Sequence, residues 1–163
     1  TAKRFAPRTA ETTMAEEIIV VDPIAKIKSN TICYTAEKDK PISVNIAKHP
    51  QFISNEYIDG QGIFTFKNKI TSIPEKAFFD CSKLDSIIIP ESVTEIGNSV
   101  FTRCHYLKMV YCQSTTPPTL GENAFSNISR EAKICVPKNS VALYKSANGW
   151  KDYASKIVGC DFK

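Results

Sequence analysis

The chain has 163 residues, 42% of them hydrophobic, and a formal net charge of +4, which suits one folded domain with an ordinary core. Its lysines are scattered and no basic run carries interleaved aromatics, so the nucleic-acid-binding class is set aside. No apolar run approaches the roughly 20 residues that cross a bilayer, and Thr1 opens the chain without a signal-peptide pattern, as expected of a trimmed chain or of a start farther upstream.

Residues 1–28 read as a tail or linker containing one β-prone run, Glu17-Ile-Ile-Val-Val21, stopped by Asp22-Pro23. Residues 29–69 read as a lead-in of two antiparallel pairs. In the first, residues 31–35 and 42–46 flank the polar stretch 37–41. In the second, residues 53–58 and 63–66 flank Asp59-Gly-Gln-Gly62, a strong turn signal. This second hairpin is expected to place Phe64 and Phe66 in the first rung of a stack of repeats and so to cap its open end.

Residues 70–137 repeat. The run Ile73-x3-Ala77-Phe78-x2-Cys81-x2-Leu84-x2-Ile87-x-Ile89 returns as Ile96-x3-Val100-Phe101-x2-Cys104-x2-Leu107-x2-Val110-x-Cys112, at a constant offset of 23. A period in the twenties with one short strand per unit is the mark of a leucine-rich solenoid, whose units bury their apolar faces only by stacking. The closing apolar pair recurs upstream as Phe64/Phe66 and downstream as Ile134/Val136, and the Ala-Phe pair recurs as Ala124-Phe125. Pro90 and Pro137 mark strand exits. The third unit is degenerate: Ile128 stands in the Cys column and Glu131 in the Leu column. Strand alternation sends Ile87/Val110/Ile134 and Ile89/Cys112/Val136 inward, and Ile88/Tyr111/Cys135 outward with Thr65 one rung earlier. Phe78, Phe101 and Phe125 are expected to form a second internal column.

Residues 138–163 read as a helical cap. Ser140 takes the N-cap place before a helix over 141–147, Asn148-Gly149 stops it, and Trp150, Tyr153 and Ile157 share one face of a second helix. The fold class is therefore α/β or mainly β: a right-handed solenoid of about four rungs between a β-hairpin and a helical cap.

The pattern Ile-x3-Ala-Phe-x2-Cys-x2-Leu-x2-Ile-x-Ile-Pro resembles the BspA-like (Treponema pallidum-type) leucine-rich repeats of bacterial surface proteins, over residues 30–160. Val100 for Ala, Ile128 for Cys, Glu131 for Leu and the low repeat number depart from it. The resemblance implies an exported or surface-anchored protein that binds other proteins or host matrix, without catalysis or cofactor.

Six cysteines in an exported chain invite a disulfide reading. Cys81 and Cys104 share one inward position, where family members carry a buried thiol, and are expected to stay free; a bridge between stacked rungs is the alternative. Cys112 is expected inward, Cys135 outward, Cys33 in the lead-in, and Cys160 either free or paired. No C-x-x-C, zincin, nucleophile-elbow or phosphate-loop motif occurs, and Asp59-Gly-Gln-Gly62 is too poor in acidic ligands for calcium. His105 beside Cys104 and His49 beside Pro50 read as surface-turn residues, and the sequon Asn127-Ile-Ser129 as coincidental.

The candidate protein-binding face is the outward side of the sheet: Thr65, Ser86, Ile88, Met109, Tyr111, Lys133 and Cys135. Apolar Ile88, Met109 and Tyr111 on a wet face favour contact with a partner protein; the alternatives are that the N-terminal segment folds over them or that they are ordinary sheet residues. The function expected is a non-catalytic protein-interaction module outside the cytoplasm. Its rivals are a structural spacer in a cell-envelope assembly and, far behind, a thiol-dependent enzyme.

Overall fold

A computed structural model describes Thr9–Glu11, Val20–Val21 and residues 24–163. The described residues hold twelve strands: β1 (Thr9–Glu11), β2 (Val20–Val21), β3 (Thr31–Ala36), β4 (Phe52–Ile58), β5 (Gln61–Phe66), β6 (Ser72–Ile73), β7 (Leu84–Ile89), β8 (Glu95–Ile96), β9 (Met109–Cys112), β10 (Thr119–Leu120), β11 (Lys133–Pro137) and β12 (Ile157–Cys160). One α-helix, α1 (Val141–Ser146), precedes a 3-10 segment, Trp150–Lys156. Of the expected strand at 17–21, Val20 and Val21 form β2, antiparallel to β1, and the rest lies outside the described residues.

Each repeat supplies one strand to a seven-stranded sheet and one two-residue strand to a three-stranded sheet. The large sheet runs β12-β11-β9-β7-β3-β5-β4 and the small one β10-β8-β6. Strands β7, β9, β11 and β12 are mutually parallel, in the register the repeat predicts: Ile87 opposite Val110, and Val110 opposite Ile134. The turns between the sheets are also joined from repeat to repeat, by Phe78 N–H donating to Val100 O (2.9 Å) and Phe101 N–H to Ala124 O (2.8 Å). Lys76, Ser99 and Asn123 repeat one left-handed backbone position (φ 60°, 56° and 58°), and Asp80, Arg103 and Asn127 a second (58°, 68° and 61°).

The core lies between the two sheets. Phe78 and Phe101 stack at 5.4 Å and 7°, and Phe101 and Phe125 at 5.4 Å and 4°. The pile continues through Phe64 to Tyr34 at one end and through Trp150 to Tyr144 at the other. Cys81 and Cys104 are buried and free beside it, and Cys104 donates its thiol to Phe78 O at 3.0 Å. In the degenerate third repeat Ile128 keeps its column buried, and Ala132, one residue later than the repeat predicts, is buried while Glu131 faces solvent.

Three expectations need correction. First, the sheet is mixed. β3 lies between β5 and β7, antiparallel to both, so Phe64 and Phe66 do not continue the parallel ladder. Burial on both faces suits β3 to this central place. Second, residues 42–46 do not pair with β3. Ile42 and Ile46 enter the core, but the Ile42 N–H donates to Tyr34 OH and its carbonyl accepts from Asn55 Nδ2. Side chains thus take the bonds a ladder would have used. Third, the C-terminus is not wholly helical. Ser140 precedes α1 but donates its hydroxyl to Thr115 O (2.7 Å) instead of capping it. The Trp150 segment is 3-10 and kinked at Tyr153, and Ile157 opens β12, which adds a further parallel strand to the ladder. The β4–β5 hairpin forms as expected, around Asp59-Gly60 with both φ positive, the two-residue turn that matches strand twist.

Candidate protein-interaction face

The outward side chains of the large sheet fall in cross-strand rows. The central row runs Ile63, Cys33, Ile88, Tyr111, Cys135, Val158. The next row holds Thr35, Ser86, Met109 and Lys133. Thr65 shares this face but stands opposite Thr31 on β3, so Cys33, not Thr65, is the neighbour of Ile88.

The central row is not exposed; of the alternatives, it is cover by the N-terminal segment that the structure shows. Ile88, Tyr111 and Cys135 are buried, as is Ser86, which is hydrogen-bonded to Thr35. With Ile24, Cys33 and Cys160 the three central-row residues form a second apolar cluster, flanked by Ile27, Ile63, Met109, Val158 and Phe162. The cover is the chain's own. Ile24 bridges Phe162 in parallel, and Ile24 O accepts from Lys163 N–H (2.9 Å) while Lys26 N–H donates to Lys163 O (2.9 Å). The buried Gln113 clasps the crossing segment with both ends of its amide: Oε1 accepts from Ile27 N–H (3.0 Å) and Nε2 donates to Ala25 O (2.9 Å). Sequence reasoning missed Gln113, although it interrupts the proline column, standing between Pro90 and Pro137 in the repeat register. Among the described residues the buried Tyr111 hydroxyl has no hydrogen-bond partner. Burial, and secondarily the charge of Asp85, pushes this phenol above its usual range.

Cys135 and Cys160 form a disulfide with Cα atoms 5.6 Å apart, diagonally across β11 and β12 on this same face. Cys33, Cys81, Cys104 and Cys112 are free and buried. Burial pushes the Cys33 and Cys112 thiols up to about 11 and Cys104 to about 12. A nucleophilic thiol needs the opposite shift. His105 is exposed beside buried Cys104, so the two do not form a pair facing one site.

Toward the start of the parallel strands Met109 is half-buried and Lys133 exposed, and Thr65, at the opposite end of the sheet, is half-buried. Ile58 on the edge strand β4 is 53% exposed and Tyr106 is 63% exposed. Tyr106 borders an open depression of about 420 Å³ with Ala36, Glu37, Ser82, Lys83, Asp85 and Lys108. Asp85 Oδ2 accepts from Thr35 Oγ1 (3.1 Å), which joins this depression to the Ser86/Met109 row. Among the described residues no helix is long and apolar enough to cross a membrane, and no three acidic, His or Cys side chains converge to hold a metal ion.

A mainly sheet protein whose repeats stack like side chain upon like belongs to the leucine-rich class. The pattern of the BspA type leucine rich repeat region (6 copies) matches residues 42–148, and the chain belongs to that family. A search of curated proteins finds none that matches.

Proposed function

We propose that the chain is a short capped right-handed solenoid serving as a non-catalytic protein-interaction module at the cell surface or otherwise outside the cytoplasm. The family favours protein binding, and the Cys135–Cys160 disulfide favours an oxidising compartment. The observation that carries the reading is the open surface beside the covered one, where Tyr106 borders the depression with Lys83, Asp85 and Lys108 and Met109 and Lys133 pair in the neighbouring sheet row. Exposed aromatic and Met side chains of this kind are enriched at protein contacts. Within the solenoid, residues 29–69 act as the lead-in cap, 70–137 as the repeats and 138–163 as the closing cap.

The test is cross-linking capture from host-matrix and envelope extracts with the wild type and with Tyr106→Ala/Met109→Ala/Lys133→Ala. All three side chains are wholly or partly exposed, so the melting temperature is expected to move little while capture of the partner falls at least tenfold. A spacer without a ligand surface gives equal capture for both proteins, and that result would reject the module reading.

A further inference from the structure

Residues 24–28 cross the outer face without joining the sheet as a ladder strand. Their hold on it reads backbone. Gln113 takes the carbonyl of Ala25 and the N–H of Ile27, two groups that any extended segment presents. Ile24 and Ile27, three residues apart, supply the apolar filling for the cluster around Ile88 and Tyr111. The packing beneath this cover is incomplete, because among the described residues the buried Tyr111 hydroxyl has no hydrogen-bond partner, and an unpaired buried polar group is costly. The ion pair of Lys26 with Glu91, at 3.5 Å, is exposed on both sides and adds little.

We propose that the groove bounded by Gln113, Tyr111 and the Cys135–Cys160 bridge is a docking site for an extended apolar peptide segment, and that residues 24–28 are its built-in, displaceable occupant. The partner segment carries two apolar side chains three residues apart and leaves a backbone carbonyl and N–H free for Gln113. One that also places an acceptor over the Tyr111 hydroxyl outcompetes the internal strap. The proposal deepens the interaction-module reading, but its test uses no natural partner, so the two fail separately.

Cys33 belongs to the covered cluster, whereas Cys81, Cys104 and Cys112 belong to the main core. Alkylation of Cys33, followed by peptide mass mapping, therefore reports the groove, and the other three thiols report global opening. In the full-length chain with Ile24→Ser/Ile27→Ser, Cys33 is expected to react at least tenfold faster than in the wild type, with the three core thiols unchanged. A synthetic peptide of residues 24–29, blocked at both ends and added at about millimolar concentration to match a tethered segment, is expected to restore protection of Cys33. An unchanged Cys33 rate, or faster labelling that the peptide does not reverse, overturns the proposal. Should all four thiols of that variant speed up together, Gln113→Ala, which removes the clasp and leaves the apolar residues, decides: Cys33 alone faster supports a strap, and all four faster again makes residues 24–28 part of the core and overturns it.

Discussion

A phenylalanine in the middle of a stack of near-parallel rings has a ring on each face. Phe101 is in that position, between Phe78 and Phe125. Phe101→Ala is expected to cost roughly 3–5 kcal/mol, through lost burial plus the cavity left behind, read as a lower urea midpoint at unchanged slope. The thiols give a pH prediction. Burial raises Cys104 to about 12 and Cys33 and Cys112 to about 11, while in the unfolded chain a thiol ionises near pH 8.5. Above that pH the native state holds protons the unfolded state has lost, so stability falls as pH rises. Thermal unfolding is expected to show a stable plateau below pH 8 and a decline from pH 9 to about 12; Cys104→Ala flattens that decline. The residue scale is also where the sequence is most legible. The phenylalanine and cysteine columns are side-chain periodicities, and a period can be counted. Gln113 shows in the sequence only as a break in the proline column; its role is not legible, since its partners are backbone groups of residues 25 and 27, brought to it only by the fold.

At the scale of elements, the turns hold the repeats at close range. A Cβ on Gly121 would fall 2.5 Å from the Asn98 backbone nitrogen, and one on Gly97 would fall 2.7 Å from that of Glu75. Gly121→Ala is therefore expected to push one repeat off the next and cost on the order of 1–3 kcal/mol, measured by chemical denaturation. The disulfide closes a sequence separation of 25, for which chain entropy suggests about 3.5 kcal/mol. Cys135→Ala/Cys160→Ala should lower the melting temperature accordingly, and a reductant should do the same to the wild type and nothing to the variant. Strand order is the less legible part. An offset of 23 gives the spacing of Phe64 and Ile87 but not which strand takes the free edge of β7, and that edge goes to β3. β12 is hidden because Trp150, Tyr153 and Ile157 also fit a helical face, and the Trp150 anchor, whose Nε1–H donates to Pro118 O at 2.7 Å, fixes the kinked segment that ends before it.

Over the whole molecule, one apolar core runs between two sheets and a smaller one lies on the outer side of the larger sheet. Strand alternation alone makes the second a wet surface, because nothing periodic in residues 24–28 announces that they return to cover it. Its consequence for function is direct: Ile88 and Tyr111, the strongest candidates by composition, act first as packing residues. Ile88→Ala is expected to destabilise by roughly 2–5 kcal/mol, and loss of binding in such a variant says nothing about contact unless folding is measured alongside.

Trp150, the sole tryptophan of the chain, lies with Tyr144 at one extremity of the aromatic pile, while Tyr34 lies toward the opposite one. Indole emission therefore observes one end of the molecule by itself. In a stack stabilised by nearest neighbours, unzipping can begin at either terminus. A fluorescence transition that precedes the far-ultraviolet dichroism would identify the C-terminal side as the first to peel away, and coincident curves would mean that the repeats melt together.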